Sequence, residues 1–144
     1  MRFDAIGNHA DALIRQFDIR SGQGATTVAR SMSGGNQQKA IVARELSLQP
    51  EVLIAVQPTR GLDVGAIEYI HKQIIAARDD GKAVLLVSLE LEEVMNVSDR
   101  ILVMYEGELV AEVEAKNASA QELGLYMSGA SRQSQGLQGE EDEA

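Results

Sequence analysis

Ser31-Met-Ser-Gly-Gly-Asn-Gln-Gln-Lys39 is the stretch on which the reading of this chain turns. A flexible Ser-Gly-Gly turn runs into Asn36 to Leu48, which reads as a helix with Ala40, Ile41 and Leu48 available to one face, stopped by Gln49-Pro50. A helix opened in this way points free backbone N–H groups and its positive end forward, and phosphate is the anion that suits such a tip. Val52-Leu-Ile-Ala-Val56 follows, an apolar β-branched run that reads as a fully buried strand. The loop Gln57-Pro-Thr-Arg-Gly-Leu-Asp63 would then emerge at the strand's carboxyl end, where open α/β sheets place their ligands. Two loops on one sheet edge make a site. Plainer readings stand beside this one: Ser before Gly-Gly is a common capped helix start, and Asp63 is placed to cap the helix that follows it, a role worth about 1 kcal/mol.

Toward the amino terminus, Ala10, Leu13, Ile14 and Phe17 sit at i, i+3, i+4 and i+7 and predict an amphipathic helix over Ala10 to Phe17. Residues 1–9 show no such period and read as an irregular entry, and Ser21 to Thr27 as a loop. Beyond Asp63, Ile67, Ile70, Ile74 and Ala77 form one stripe of a helix over Ala66 to Asp79, closed by Asp80-Gly81. Ala83 to Ser88 is a second apolar strand, so strand, helix and strand form a crossover with parallel strands and a right-handed connection. Leu91 to Val97 predicts a short helix. Arg100 to Tyr105 and Glu108 to Val113 flank Glu106-Gly107, a two-residue hairpin turn with glycine where positive φ is wanted. Ala120 to Met127 is a last helix, and the polar, Gln-rich, acidic stretch from Ser131 reads as disordered.

The chain has 144 residues, 44% of them hydrophobic, enough for one domain or part of one with a modest core. A net charge of −9 argues against nucleic acid or an anionic lipid surface, which would ask for a basic face; Glu140 to Glu143 supply part of that charge. With no cysteine and two histidines there is no disulfide framework and no thiolate metal site, and a reducing cytosol is the simplest setting. No apolar run is long enough to span a bilayer, and the first residues lack the layout of a signal peptide, so the chain is expected to be soluble and not secreted.

Met32 to Lys39 resembles the signature motif of ABC-transporter ATPase subunits, in the Asn-Gln-Gln form of sugar and nucleoside importers, and Pro58-Thr-Arg-Gly-Leu-Asp63 resembles the end of the Walker B strand and its D-loop. The likeness runs from about Ala10 to Gly129 and implies the last part of a nucleotide-binding domain, the second of two in a tandem polypeptide. The implied fold class is α/β: a partial P-loop NTPase (ABC ATPase) core with parallel strands, a small helical portion and a C-terminal β-hairpin. Residues 1–35 would be the remnant of the helical subdomain up to the signature loop, 36–129 the C-terminal part of the ATPase core, and 130–144 a disordered acidic tail.

In this family the signature loop closes over the ATP held by the facing domain. The resemblance therefore implies that Ser33 offers its hydroxyl, and Gly34 and Gly35 their N–H groups, to the γ-phosphate of a partner's ATP, with Gln37 and Lys39 at the edge of the same ligand. Asp63 would keep the D-loop carboxylate that reaches across to the opposite site. The strand end departs from the family pattern. Val56 and Gln57 stand where an aspartate supports Mg²⁺ and a glutamate polarises the attacking water, and Leu89 follows Ser88 where many relatives place a histidine that senses the γ-phosphate. Valine cannot hold an aquated metal, and neutral glutamine orients a water without taking its proton. No Gly-x-x-x-x-Gly-Lys-[Ser/Thr] occurs, so the phosphate-cradling loop is not in this sequence, and the sheet is expected to have an unpaired edge and an uncovered apolar face.

The expectation is thus a portion of an importer ATPase for sugars or nucleosides, supplying signature and D-loop in trans while its own site is degenerate, with no catalytic residue and no metal ligand in cis. ATP and Mg²⁺ would lie at a site shared with a facing nucleotide-binding domain. The other implied partners are membrane-spanning permease subunits and, indirectly, a periplasmic or lipoprotein solute-binding protein. The location would be cytoplasmic, against the inner face of the plasma membrane through the permease. The alternative is a non-catalytic interaction or regulatory module that keeps the fold. A stand-alone P-loop enzyme is the weakest reading, for want of the phosphate loop.

Overall fold

A computed structural model describes residues 2–133. The described residues fall into two compact units, divided between Val87 and Ser88.

In the first unit, helix α1 spans Phe3–Gln16. It replaces the irregular entry expected for residues 1–9, because the apolar spacing of Ala10, Leu13 and Ile14 continues backward through Ile6 and Phe3, and Gly7 weakens the helix by about 1 kcal/mol without removing its ladder. A turn through Phe17, Asp18 and Ile19 ends it, with Asp18 in the left-handed region at φ +47°. Helix α2 spans Gly34–Ser47 and begins at the glycines themselves, earlier than Asn36. Its buried positions are Gly35 and Ala43, while Ile41 and Leu48 face outward, contrary to the face expected of them. Phe17, Ile19 and Ala43 form the core here, joined by partly buried Leu13, Met32, Ala40 and Tyr69.

Strand β1 (Val52–Val56) and strand β2 (Ala83–Val87) pair in parallel, and helix α3 (Val64–Asp79) connects them as the crossover predicts. Ala66, Ile70, Ile74 and Ala77 are the buried stripe of α3. The strands are not fully buried. Leu53 and Ala55, paired with Val84 and Leu86, are half-buried, whereas Val52, Ile54 and Val56, with Leu85 and Val87 across from them, are 45–63% exposed. The second, uncovered face of the sheet carries only aliphatic side chains.

The second unit is built around a hairpin. Helix α4 (Leu91–Val97) precedes strands β3 (Arg100–Tyr105) and β4 (Glu108–Glu114), and helix α5 (Ala120–Met127) follows them. Glu106 and Gly107 take φ +49° and +85°, the left-handed pair that a tight hairpin turn requires. A bulge after Val103 pairs Met104 with Leu109, so that Val110 and Ala111 are both buried. They join Ile101, Val103, Leu123 and Tyr126 in one core. The start of the expected acidic tail is tied back: the Ala130 N–H donates to the Leu125 carbonyl (3.0 Å), the Gln133 N–H to that of Val110 (3.0 Å), and Arg132 pairs with Glu108. The rest of that tail lies outside the described residues.

Candidate functional site

The site is assembled from two helix tips of the first unit. Ser33 caps α2: its Oγ accepts the Asn36 N–H at 3.4 Å and the Asn36 side-chain amide at 2.9 Å. Since Asn36 donates to this oxygen, the hydroxyl hydrogen of Ser33 is directed elsewhere. Ser33 and Gly34 are exposed, and the N–H groups of this first turn have no carbonyl within the helix to accept them. Asp63 caps α3 in the same manner, its Oδ1 accepting the Ala66 N–H at 2.9 Å.

Gly35 locks the two tips together. It is buried, and a Cβ on it would lie 2.9 Å from the Ala66 Cβ and 3.5 Å from Asp63 Oδ2. The glycine therefore has a reason in packing alone, since α2 and α3 approach too closely here for any side chain. The same measurement puts the Asp63 carboxylate next to the Ser-Gly-Gly tip, so the structure brings together the two loops that the sequence paired. Gly34 is different: a Cβ there would meet only Leu62 Cδ2, at 3.8 Å.

Gln37 and Lys39 are engaged by the chain itself. The Gln37 amide donates to the Met32 carbonyl at 2.9 Å, and Lys39 Nζ donates to Asp18 at both its carbonyl (3.0 Å) and its Oδ2 (3.1 Å) while lying 4.4 Å from the centroid of the Tyr69 ring. Burial, and secondarily the Asp18 carboxylate, push the Tyr69 hydroxyl above the ordinary tyrosine value. An open recess of about 340 Å³ lies between Lys39 and Asp63, with Arg20 and Lys72 on its walls. Asp18, Arg20 and Tyr69 escaped the sequence reading because they stand far along the chain from the motif and share no period with it.

The end of β1 has other chemistry. Val56 is 62% exposed and carries no donor atom for a metal. Gln57 takes φ +49°, and its N–H is bonded to the Val87 carbonyl at 2.8 Å. Pro58 and Thr59 behind it are buried, and turns from Gln57 to Arg60 and from Thr59 to Leu62 carry the chain to Asp63. The donor set at this strand end does not fit Mg²⁺. In the second unit, Leu89 is 77% exposed and the Glu90 N–H donates to Ser88 Oγ. Among the described residues no group of three His, Asp or Glu side chains converges as a metal site, and no helix is long and apolar enough to cross a membrane.

Solved structures share this fold. The ATP-binding cassette MJ0796, in a dimeric post-hydrolysis state bound to ADP and Pi, matches at TM-score 0.66 and 26% identity over 80% of this chain and 49% of that one. A nucleoside import ATP-binding protein, NupA of Lactococcus lactis, is 55% identical over 127 residues. The chain belongs to the ABC-transporter ATPases and carries part of one cassette. The match to NupA covers 88% of this chain and 25% of the relative, and the guanosine import ATP-binding protein NupO of Bacillus subtilis gives the same identity and coverage. A glucose import ATP-binding protein of Haloferax volcanii, TsgD13, is 49% identical over 84% of this chain and 22% of its own length. The chain thus spans about a quarter of the length of the curated relatives it matches, in their C-terminal portion. An ATP-binding subunit of an ABC transporter, at TM-score 0.68 and 21% identity, shares the cassette fold. No protein-family model matches the chain.

Proposed function

We propose that this partial cassette belongs to an importer ATPase for nucleosides or sugars, in which Ser33, Gly34, Gly35 and Asp63 complete an ATP site whose phosphate loop and catalytic glutamate come from a facing domain. One observation carries the reading: Ser33 and Gly34 form an exposed helix tip with a carboxylate beside it. The hydroxyl of Ser33 and the N–H groups of the glycines would donate to γ-phosphate oxygens, adding charge-assisted hydrogen bonds as negative charge spreads over the transferring group. The carboxylate of Asp63 would meet the facing domain at the same seam. Gln37 and Lys39 stand behind the tip, their polar ends taken up by the Met32 carbonyl and by Asp18. Mg²⁺ would be held on the facing side, where it neutralises the phosphates.

Val56 and Gln57 support a degenerate site in cis, because neither binds the metal nor takes a proton from water. The names of the relatives support the importer, and a similar cassette solved as a dimer with ADP and Pi supports the paired arrangement. Such a chain would sit at the cytoplasmic face of the membrane through permease subunits and serve a solute-binding protein indirectly. By resemblance alone, Gln57 leans toward the nucleoside branch.

The test is complementation. The chain is mixed with a separately made domain bearing an intact phosphate loop and catalytic glutamate, and ATP turnover is measured. Turnover should appear on mixing and vanish with Ser33→Arg, which places a bulky cation in the phosphate's seat. Micromolar ATP binding with hydrolysis by the chain alone would overturn the reading. The losses at Val56 and Gln57 favour a second reading, a regulatory module that keeps the cassette fold, for which mixing changes nothing.

A further inference from the structure

We infer that Lys39 is a positioning residue for the phosphate-gripping tip, acting through the turn that follows α1; this rests on the trans-site reading above. Lys39 lies just past the first turn of α2, three residues from Asn36 and so on the same helix face. Its side chain is 12% exposed, which is unusual for a lysine, and it is fully occupied: Nζ bridges the carbonyl and the carboxylate of Asp18 and sits over the Tyr69 ring. One cation therefore ties the end of α1, helix α2 and helix α3 together.

The same turn is gripped a second time. The Arg20 N–H donates to Asn36 Oδ1 at 2.7 Å, while the other end of that amide donates to Ser33 Oγ at 2.9 Å. A line of contacts thus runs from Tyr69 through Lys39 to Asp18, along the turn to Arg20, and from the Arg20 N–H through Asn36 to the hydroxyl that would meet the phosphate. Asp18 takes its part in this from a left-handed backbone, φ +47°, which aspartate tolerates better than most side chains. Lys39 does not approach the tip itself. Its work is to fix the turn that orients Asn36, and Asn36 orients Ser33.

Lys39→Met keeps the aliphatic stem and removes the charge. In the assembled complex with the phosphate-loop domain, turnover should fall about tenfold, since small misplacements of a positioning group cost one to two orders of magnitude. The KM for ATP should stay within twofold, because the facing domain holds the nucleotide. A purely structural role would instead lower the unfolding temperature of the complex, and turnover would recover on cooling. Asp18→Asn, at a side chain 72% exposed, leaves the carbonyl contact and removes only the carboxylate. It should lower turnover about threefold at an unchanged unfolding temperature, and add nothing to Lys39→Met in the double variant. Wild-type turnover in Asp18→Asn and in folded Lys39→Met overturns the inference, as does a loss explained wholly by unfolding. Ser33→Arg separates the two levels: if it abolishes turnover while the other variants behave as wild type, the positioning role fails and the trans site stands. If Ser33→Arg also leaves turnover intact, both fall.

Discussion

At Ser33 and Gly34 the backbone is exposed at the opening of a helix, whereas at Val56 and Gln57 it is fastened to the neighbouring strand and ends in an alkyl group and a neutral amide. Both regions belong to the same compact unit, and in the function proposed above both would meet nucleotide. The first keeps donors aimed outward on a braced support. The second keeps the strand and its turn but has no group that binds a cation or takes a proton. The contrast teaches that scaffold and chemistry separate cleanly: the fold needs apolar alternation in β1, which valine satisfies, and is indifferent to the carboxylates that hydrolysis requires.

The widest gap between the two regions should appear on substitution at the tip. Ser33→Arg, at an exposed position, should reduce turnover of the complemented complex at least a hundredfold, on the scale of losing an oxyanion donor, while the lost cap of α2 lowers stability in urea by only about 1 kcal/mol. The reciprocal change, Gln57→Glu, should give no hydrolysis by the chain alone, since Val56 still offers no metal ligand; turnover by this variant alone would erase the distinction.

A second pair sharpens what the tip's glycines are for. Gly35→Ala forces a Cβ to 2.9 Å from that of Ala66, where neither atom has a torsion to move it, and should destabilise the unit by about 1–3 kcal/mol in denaturant unfolding. Gly34→Ala has room, with its nearest neighbour at 3.8 Å, and should leave stability the same or raise it by up to about 1 kcal/mol through helix propensity. Equal effects at the two glycines would show that α2 and α3 do not meet as described.

Smaller effects come from the caps and from titration. Asp63→Ala should cost about 1 kcal/mol through the lost bond to the Ala66 N–H. The Tyr69 phenol holds its proton more tightly in the folded chain than in the unfolded one, because burial and Asp18 raise it from 10.0. The stability this confers is whole below about pH 10 and is lost as pH climbs through the raised value, where the unfolded chain releases its proton first. Tyr69→Phe should flatten that alkaline limb of the stability curve and leave the neutral range alone.

Elements with a complete local signal were legible from sequence. Leu91–Val97 and Ala120–Met127 begin and end where their patterning says, and Glu106-Gly107 turns the hairpin. The sequence pairs the Ser-Gly-Gly turn with the Asp63 loop, and Gly35 does lie against Asp63 and Ala66. What escaped depended on contacts between distant residues. The run Val52 to Val56 reads alike whether one face or two are covered, so the exposure of Ile54 has no signal in the strand itself. The Gly-Gly pair reads as two equivalent glycines, while packing makes one of them indispensable to the fold and leaves the other free for a ligand. The start of α1 was missed because Gly7 and Asn8 mask a period that Phe3 and Ile6 sustain.

The close approach of α2 and α3 at Gly35 leaves no room for either helix start to slide past the other. Ser33 and Asp63 thus ride on one shared support, and a push on the first helix is felt at the carboxylate that opens the second.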